Sequence, residues 1–152
     1  MFSKMLPLAR MAVLLPCALA SAVGIARAEG TVTIQQSNGT TNTYDKVTIK
    51  VIHSSLFVTS QDGKGTLIIN RAACSYQGKI LVCLPTSVAL VQSGATSPVD
   101  LTTGTVYVNM SHTDQQLALS TTKVPPHGVL LSFTTKKGTY VTMTGRIDQV
   151  VK

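Results

Sequence analysis

Apolar and polar residues alternate along much of the chain. Val47, Ile49 and Val51 are separated by Thr48 and Lys50, so the apolar side chains of this segment share one face of an extended strand. No segment has the three-and-four spacing of an apolar helix face. β-branched residues, which suit a pleated and half-buried surface, are abundant. The pattern therefore predicts an all-β protein.

Turn signals divide this pattern into about ten short strands. Residues 37–39 and 61–65 carry the glycine and asparagine or aspartate typical of hairpin turns, and residues 125–128 contain two prolines that no central strand tolerates. We also expect a loop over residues 93–98 and a turn over residues 102–104. Together these signals favour a single antiparallel β-sandwich or jelly-roll-like domain, with a small barrel or a curved β-roll as the alternative.

Cys74 and Cys83 flank a segment that reads as a hairpin. A loop over residues 77–80 sets the two cysteines directly opposite each other, which is the arrangement that a disulfide across antiparallel strands requires. Their spacing differs from the two-residue gap of redox and zinc motifs. The sequence therefore predicts a structural Cys74–Cys83 disulfide.

The N-terminus has the pattern of a signal peptide. Lys4 and Arg10 supply positive charge, residues 11–25 are largely apolar, and residues 26–28 form a small-x-small cleavage site. We expect a signal peptide over 1–28 and an all-β domain over 29–152. This pattern, together with the disulfide, predicts a periplasmic or secreted protein.

Two other interpretations of the N-terminus remain open. The first is a retained membrane anchor, for which the apolar stretch is short. The second is lipidation of Cys17, which has a leucine three residues before it, although Pro16 is a poor fit directly before an acylated cysteine. With cleavage after residue 28, we expect no membrane span in the mature chain.

Charge narrows the range of partners. Removal of three of the thirteen basic residues with the signal leaves ten basic and six acidic side chains, a net charge of +4. This mild excess favours an anionic surface or polymer weakly. The chain contains no basic run with interleaved aromatic residues, so we expect no nucleic-acid binding.

The polar residues show no arrangement typical of catalysis. His53, His112 and His127 lack the spacing of a metal clamp, and no motif indicates a cofactor, so we predict no metal, no cofactor and no enzymatic activity. Residues 111–114 place serine, histidine and aspartate within four positions, which a turn whose Ser and Asp side chains bond to its own backbone explains. The alternative is a small periplasmic hydrolase whose site is assembled from His112, Asp114 and His127.

Four residues form the candidate interaction surface. Tyr107 and Tyr140 alternate out of step with their apolar neighbours, which predicts exposed aromatic rings. Lys136 and Lys137 are adjacent in a predicted turn. Aromatic and basic side chains at a surface are common anchors for a partner.

Residues 138–148, with the sequence GTYVTMTGRID, resemble the strand-turn units of periplasmic lipopolysaccharide-transport jelly rolls. The resemblance implies an apolar groove for acyl chains and open sheet edges for partners. We therefore expect an exported, non-catalytic β-domain of the bacterial cell envelope that binds an envelope protein, a lipid or an anionic polymer. A lipid- or lipopolysaccharide-transport-like jelly roll and the hydrolase are the alternatives.

Overall fold

The computed structural model describes residues 30–70, 73–117 and 120–151. These ranges contain thirteen β-strands and no helix, which confirms the all-β prediction. Accordingly, no helix with the length and apolarity of a membrane span occurs in them. The predicted signal peptide over 1–28 lies outside the described residues.

The strands differ widely in length. Most have four to eight residues, but two are much longer and two have only two residues. Their bounds are β1 Gly30–Gln35, β2 Thr41–Ile52, β3 Ser55–Thr59, β4 Gly65–Asn70, β5 Cys74–Gln77, β6 Ile80–Cys83, β7 Ser87–Gln92, β8 Ala95–Asn109, β9 Gln115–Gln116, β10 Lys123–Val124, β11 Gly128–Thr135, β12 Tyr140–Arg146 and β13 Gln149–Val151.

Eight of the strands close into an antiparallel barrel. The order around it is β1-β2-β3-β4-β7-β8-β11-β12, and β12 pairs again with β1, from Gly30 opposite Gly145 to Gln35 opposite Tyr140. The small-barrel alternative is thus confirmed, and the sandwich or jelly roll was wrong. Pairing between the first and last barrel strands joins the two sheet edges that a sandwich would leave apart.

The two long strands form the corners of the barrel. β2 pairs with β1 through its first half and with β3 through its second, and it bends at Lys46, where φ is 60° and the register with β1 shifts. β8 pairs with β7 through residues 95–100 and with β11 through residues 101–109. Such irregularities let one strand belong to two differently oriented parts of a sheet.

The predicted turn over residues 102–104 and most of the loop over residues 93–98 were wrong, because β8 is continuous there. Gly104 is a packing position: a Cβ at this residue would lie 3.0 Å from the carbonyl oxygen of Pro85. Pro98 is tolerated because its part of β8 pairs with β7 alone among the described strands.

The two ends of the barrel differ. In an antiparallel barrel, consecutive connections lie at opposite ends. The short turns over residues 36–40, 60–64, 93–94 and 136–139 therefore share one end, which we call the mouth end. The opposite end, called the far end, carries the β2–β3 turn, the β5–β6 and β9–β10 hairpins, and β13, which pairs in parallel with the second half of β2.

Apolar side chains fill most of the barrel interior. Ile49, Leu131 and Met143 are among the most completely buried. The other buried members of this core are Val32, Val47, Leu56, Val58, Ile69, Cys83, Val88, Leu101, Val106, Val129, Phe133 and Val141. A second cluster packs on the outer face of β8 and β11, where Ile80, Val82 and Val124 cover Tyr107 and Leu130.

The Cys74–Cys83 disulfide is confirmed, with the register predicted from the sequence. The two Cα atoms lie 4.1 Å apart, and Ser75 and Val82 are opposite each other. The hairpin is tighter than expected, because Gln77 also pairs with Ile80. Only two residues remain in the turn.

Removing the disulfide with Cys74→Ala/Cys83→Ala is expected to lower the free energy of unfolding by about 2–3 kcal/mol, since the bridge closes a short loop in the unfolded chain. Urea unfolding measures this change. Reductant should weaken the parent protein by a similar amount and leave the double variant unaffected. An unchanged midpoint in the double variant would contradict the prediction.

Candidate functional site

A cleft of about 1120 Å³ opens at the mouth end of the barrel. Its floor consists of buried core side chains, including Val58 and Phe133. Its walls carry three apolar side chains that are only partly buried: Ile34, Leu67 and Leu90. Barrel interiors are usually filled or hold a single ligand. Here the interior is filled toward the far end and hollow at the mouth.

The hollow results from a gap in the barrel wall. Among the described strands, the first half of β2 pairs with β1 alone, and pairing with β3 begins at Thr48. Residues 41–46 are all exposed, and the β3–β4 turn faces them across the cleft. The cleft is therefore accessible both from the barrel end and from the side.

Polar groups surround the entrance. Asp62 accepts hydrogen bonds from the Lys64 backbone N–H at 3.0 Å and from Ser60 Oγ at 2.7 Å. These hydrogen bonds stabilise the carboxylate and hold the pKa of Asp62 below its usual value, with the Lys64 N–H contributing most and the Ser60 hydroxyl next. Asp62 thus keeps its negative charge at neutral pH. Tyr44 and Asp45 complete this rim from the β2 side.

A pair of histidines lies at the far end. His127 Nε2 is 2.9 Å from His112 Nδ1, and the ring centroids are 4.6 Å apart. The fold thus unites two of the three residues of the hydrolase alternative. The hydrogen bonds of the described residues connect neither ring to Asp114. Ser111 Oγ lies 2.7 Å from Asn109 Oδ1, so this hydroxyl is part of the hydrogen bonding that holds the loop.

The remaining histidine is separate from this pair. His53 lies in the β2–β3 turn, where its backbone N–H donates to the Val151 carbonyl. Across residues 30–70, 73–117 and 120–151, no three His, Cys, Asp or Glu side chains are grouped as a metal site would require. A three-ligand metal site therefore has no candidate in these ranges.

The four residues of the candidate interaction surface are not grouped together. Tyr140, which is 44% exposed, and the exposed Lys136 and Lys137 lie at the mouth end. Tyr107 packs partly buried against the second cluster on the outer wall. Tyr107 is more buried than the alternation predicts, because Ile80 and Val82 of β6 and Val124 of β10 pack against it. A role for these residues in binding stays a prediction.

The cleft residues were not identified from the sequence. Ile34, Leu67 and Leu90 alternate with polar neighbours as ordinary core residues do. Nothing in that pattern distinguishes an inward side chain with a packing partner from one that faces a hollow. The sequence signal that could have pointed to the cleft is that each of these residues lies near a turn. The barrel brings these turns together at the mouth end.

Known proteins supply no template for this site. No family model, curated protein or solved structure matches the chain. The function of the protein therefore has to be inferred from the geometry of the barrel and its cleft.

Proposed function

We propose that this protein is an exported, non-catalytic binding module that takes the apolar chain of a lipid-like ligand into the mouth of its barrel. The apolar cleft of about 1120 Å³ is the observation that carries the proposal. Small-molecule sites are concave, largely apolar and of about 300–1,000 Å³. The cleft is slightly larger than that range, so it has room for a hydrocarbon chain.

The lining favours hydrocarbon over a sugar or a nucleotide. Ile34, Leu67 and Leu90 leave part of their side chains accessible to water within the cleft. A ligand that covers them recovers about 25 cal/mol for each Å² of apolar surface removed from water. The head group of the ligand would then lie at the entrance, in contact with solvent and beside the polar rim that includes Asp45 and Asp62.

Two features bear on location and ligand class. The Cys74–Cys83 disulfide supports export, because such bonds persist in oxidising compartments. The resemblance of residues 138–148 to lipopolysaccharide-transport proteins implied a jelly roll, which this closed barrel is not. An acyl-chain ligand is therefore supported by the cleft alone.

The test is displacement of a fluorescent fatty acid from the purified protein. Leu67→Gln and Leu90→Gln keep the approximate size of the side chain and place a polar amide in the wall. Each is expected to weaken probe binding about tenfold, which corresponds to roughly 1.4 kcal/mol of lost apolar contact. Leu84→Gln is the matched control, because Leu84 is 54% exposed and does not line the cleft.

Three results would contradict the proposal. The first is the absence of saturable probe binding to the parent protein. The second is unchanged affinity in both wall variants. The third is an equal loss in Leu84→Gln, which would show that the probe binds exposed apolar residues in general. Circular dichroism of each variant establishes that the barrel is folded.

A further inference from the structure

The imidazole pair at the far end has the dimensions of a metal chelate. Metal–imidazole bonds are about 2.0–2.1 Å long, so two of them at a right angle place their nitrogens about 2.9 Å apart. His112 Nδ1 and His127 Nε2 are 2.9 Å apart. A tetrahedral ion with the same bond lengths would need about 3.3–3.4 Å. The separation is that of a hydrogen bond between the two imidazoles, and it also matches the spacing of cis positions around a square-planar or octahedral ion.

The orientation of the rings is compatible with such a site. The ring centroids are 4.6 Å apart, which is less than if both rings lay along the line that joins the two nitrogens. In each ring, the direction from the centroid to the facing nitrogen is therefore inclined to that line. A shared metal ion requires that inclination, since both lone pairs must point to an atom beside this line. His112 is exposed and His127 is partly exposed, so water can reach the remaining coordination positions.

Backbone hydrogen bonds hold both residues in place. The His127 N–H donates to the Ser111 carbonyl at 3.1 Å, and the His127 carbonyl accepts from Ile147 N–H at 2.7 Å. The residues on either side of His112 are fixed by Asn109, which accepts from Ser111 N–H and donates to the Thr113 carbonyl, each at 2.9 Å. The two imidazoles therefore project from restrained loops, which lowers the entropic cost of chelation.

We propose that His112 Nδ1 and His127 Nε2 form a binding site for a divalent transition metal ion, with Cu²⁺ the preferred occupant. Right-angled nitrogen ligands suit Cu²⁺ and Ni²⁺, and Cu²⁺ binds most tightly in the divalent series. While the two imidazoles hydrogen-bond to each other, one facing nitrogen carries the proton. On metal binding, that ring moves the proton to its outer nitrogen, which leaves a lone pair on each of the two facing nitrogens for the metal ion.

The test is titration of the purified protein with Cu²⁺ and with Zn²⁺ against a competing chelator, with pulsed EPR of the Cu²⁺ form. One Cu²⁺ per chain with two imidazole ligands is expected. Loss of an outer-shell partner of a metal ligand costs about 10–100-fold in affinity, so His112→Ala and His127→Asn, which each remove a ligand, should weaken Cu²⁺ binding by at least about tenfold. Asparagine is chosen because His127 has φ of 47°, a conformation that asparagine tolerates.

His53→Asn is the matched control, because His53 is exposed and has a similar φ of 49°. It should leave Cu²⁺ affinity unchanged. If His127→Asn fails to fold, His112→Ala decides, since His112 is not among the residues with positive φ.

An equal loss in His53→Asn, full affinity in His112→Ala, a single imidazole in the EPR spectrum or Zn²⁺ binding as tight as Cu²⁺ would each overturn the proposal. Leu90→Gln should leave Cu²⁺ binding unchanged, so failure here is separable from failure of the cleft.

Discussion

Replacing Asn109 by alanine is expected to lower the free energy of unfolding by about 3 kcal/mol or more. Asn109 ends β8 and is completely buried. Its Nδ2 lies within 3.1 Å of the carbonyl oxygens of Thr113, Val124 and Pro125. Its Oδ1 accepts from the backbone and side chain of Ser111. Each buried polar group left without a partner costs about 1–3 kcal/mol.

Chemical denaturation of Asn109→Ala measures this loss. Asn109→Asp is a second informative variant, because a carboxylate keeps the accepted hydrogen bonds but faces three carbonyl oxygens, so a loss at least as large is expected at neutral pH. Asn42→Ala is the control at an exposed position of β2 and should cost less than about 0.5 kcal/mol. If Asn109→Ala lowered the free energy of unfolding by less than about 1 kcal/mol, the prediction would be wrong, because water would then be replacing the hydrogen bonds of the asparagine.

Leu131→Ala is expected to lower the free energy of unfolding by about 3 kcal/mol, within the range of about 2–5 kcal/mol for truncation of a buried leucine. Leu131 is 1% exposed and lies on β11. Val106 on β8 and Met143 on β12, the two residues opposite it, are also buried. β11 is paired with β8 on one side and β12 on the other, so the backbone cannot move inward to fill the space that the leucine leaves. The truncation therefore leaves a cavity in the barrel.

Thermal and urea unfolding of Leu131→Ala test this expectation. Leu131→Met conserves volume and should cost less than about 1.5 kcal/mol. Leu90→Ala provides the comparison within the cleft, where the side chain already borders a hollow, and should cost about 1 kcal/mol or less. Equal losses at Leu131 and Leu90 would contradict the division of the interior into a packed part and a hollow part.

Local features of this fold were predictable because their causes are local. The hairpin at Cys74–Cys83 follows from the spacing of two cysteines around a glycine turn, and the observed register agrees. The turn after β1 contains Asn38, whose side chain accepts from Thr40 N–H two residues later. Asp62 makes the same kind of bond to Lys64 N–H after β3.

Features that depend on distant residues could not be predicted from the pattern. Pairing of β1 with β12 decides between a barrel and a sandwich, yet both arrangements require the same alternation in each strand. The sequence pattern predicts a turn at residues 102–104 because glycine is common in turns, but β8 runs through them. Glycine is required at residue 104 because the Pro85 carbonyl oxygen approaches closely. His112 follows β8 and His127 precedes β11, so they meet because these two strands pair, with Asn109 opposite Gly128.

The barrel also determines where the protein can be tethered. β1 starts at Gly30 and β13 finishes at Val151, and the register places both residues away from the mouth, at the far end. A linker joined before Gly30 or after Val151 therefore departs from the side opposite the cleft. Coupling to a sensor chip or fusion to a carrier through either position should leave the entrance facing solution.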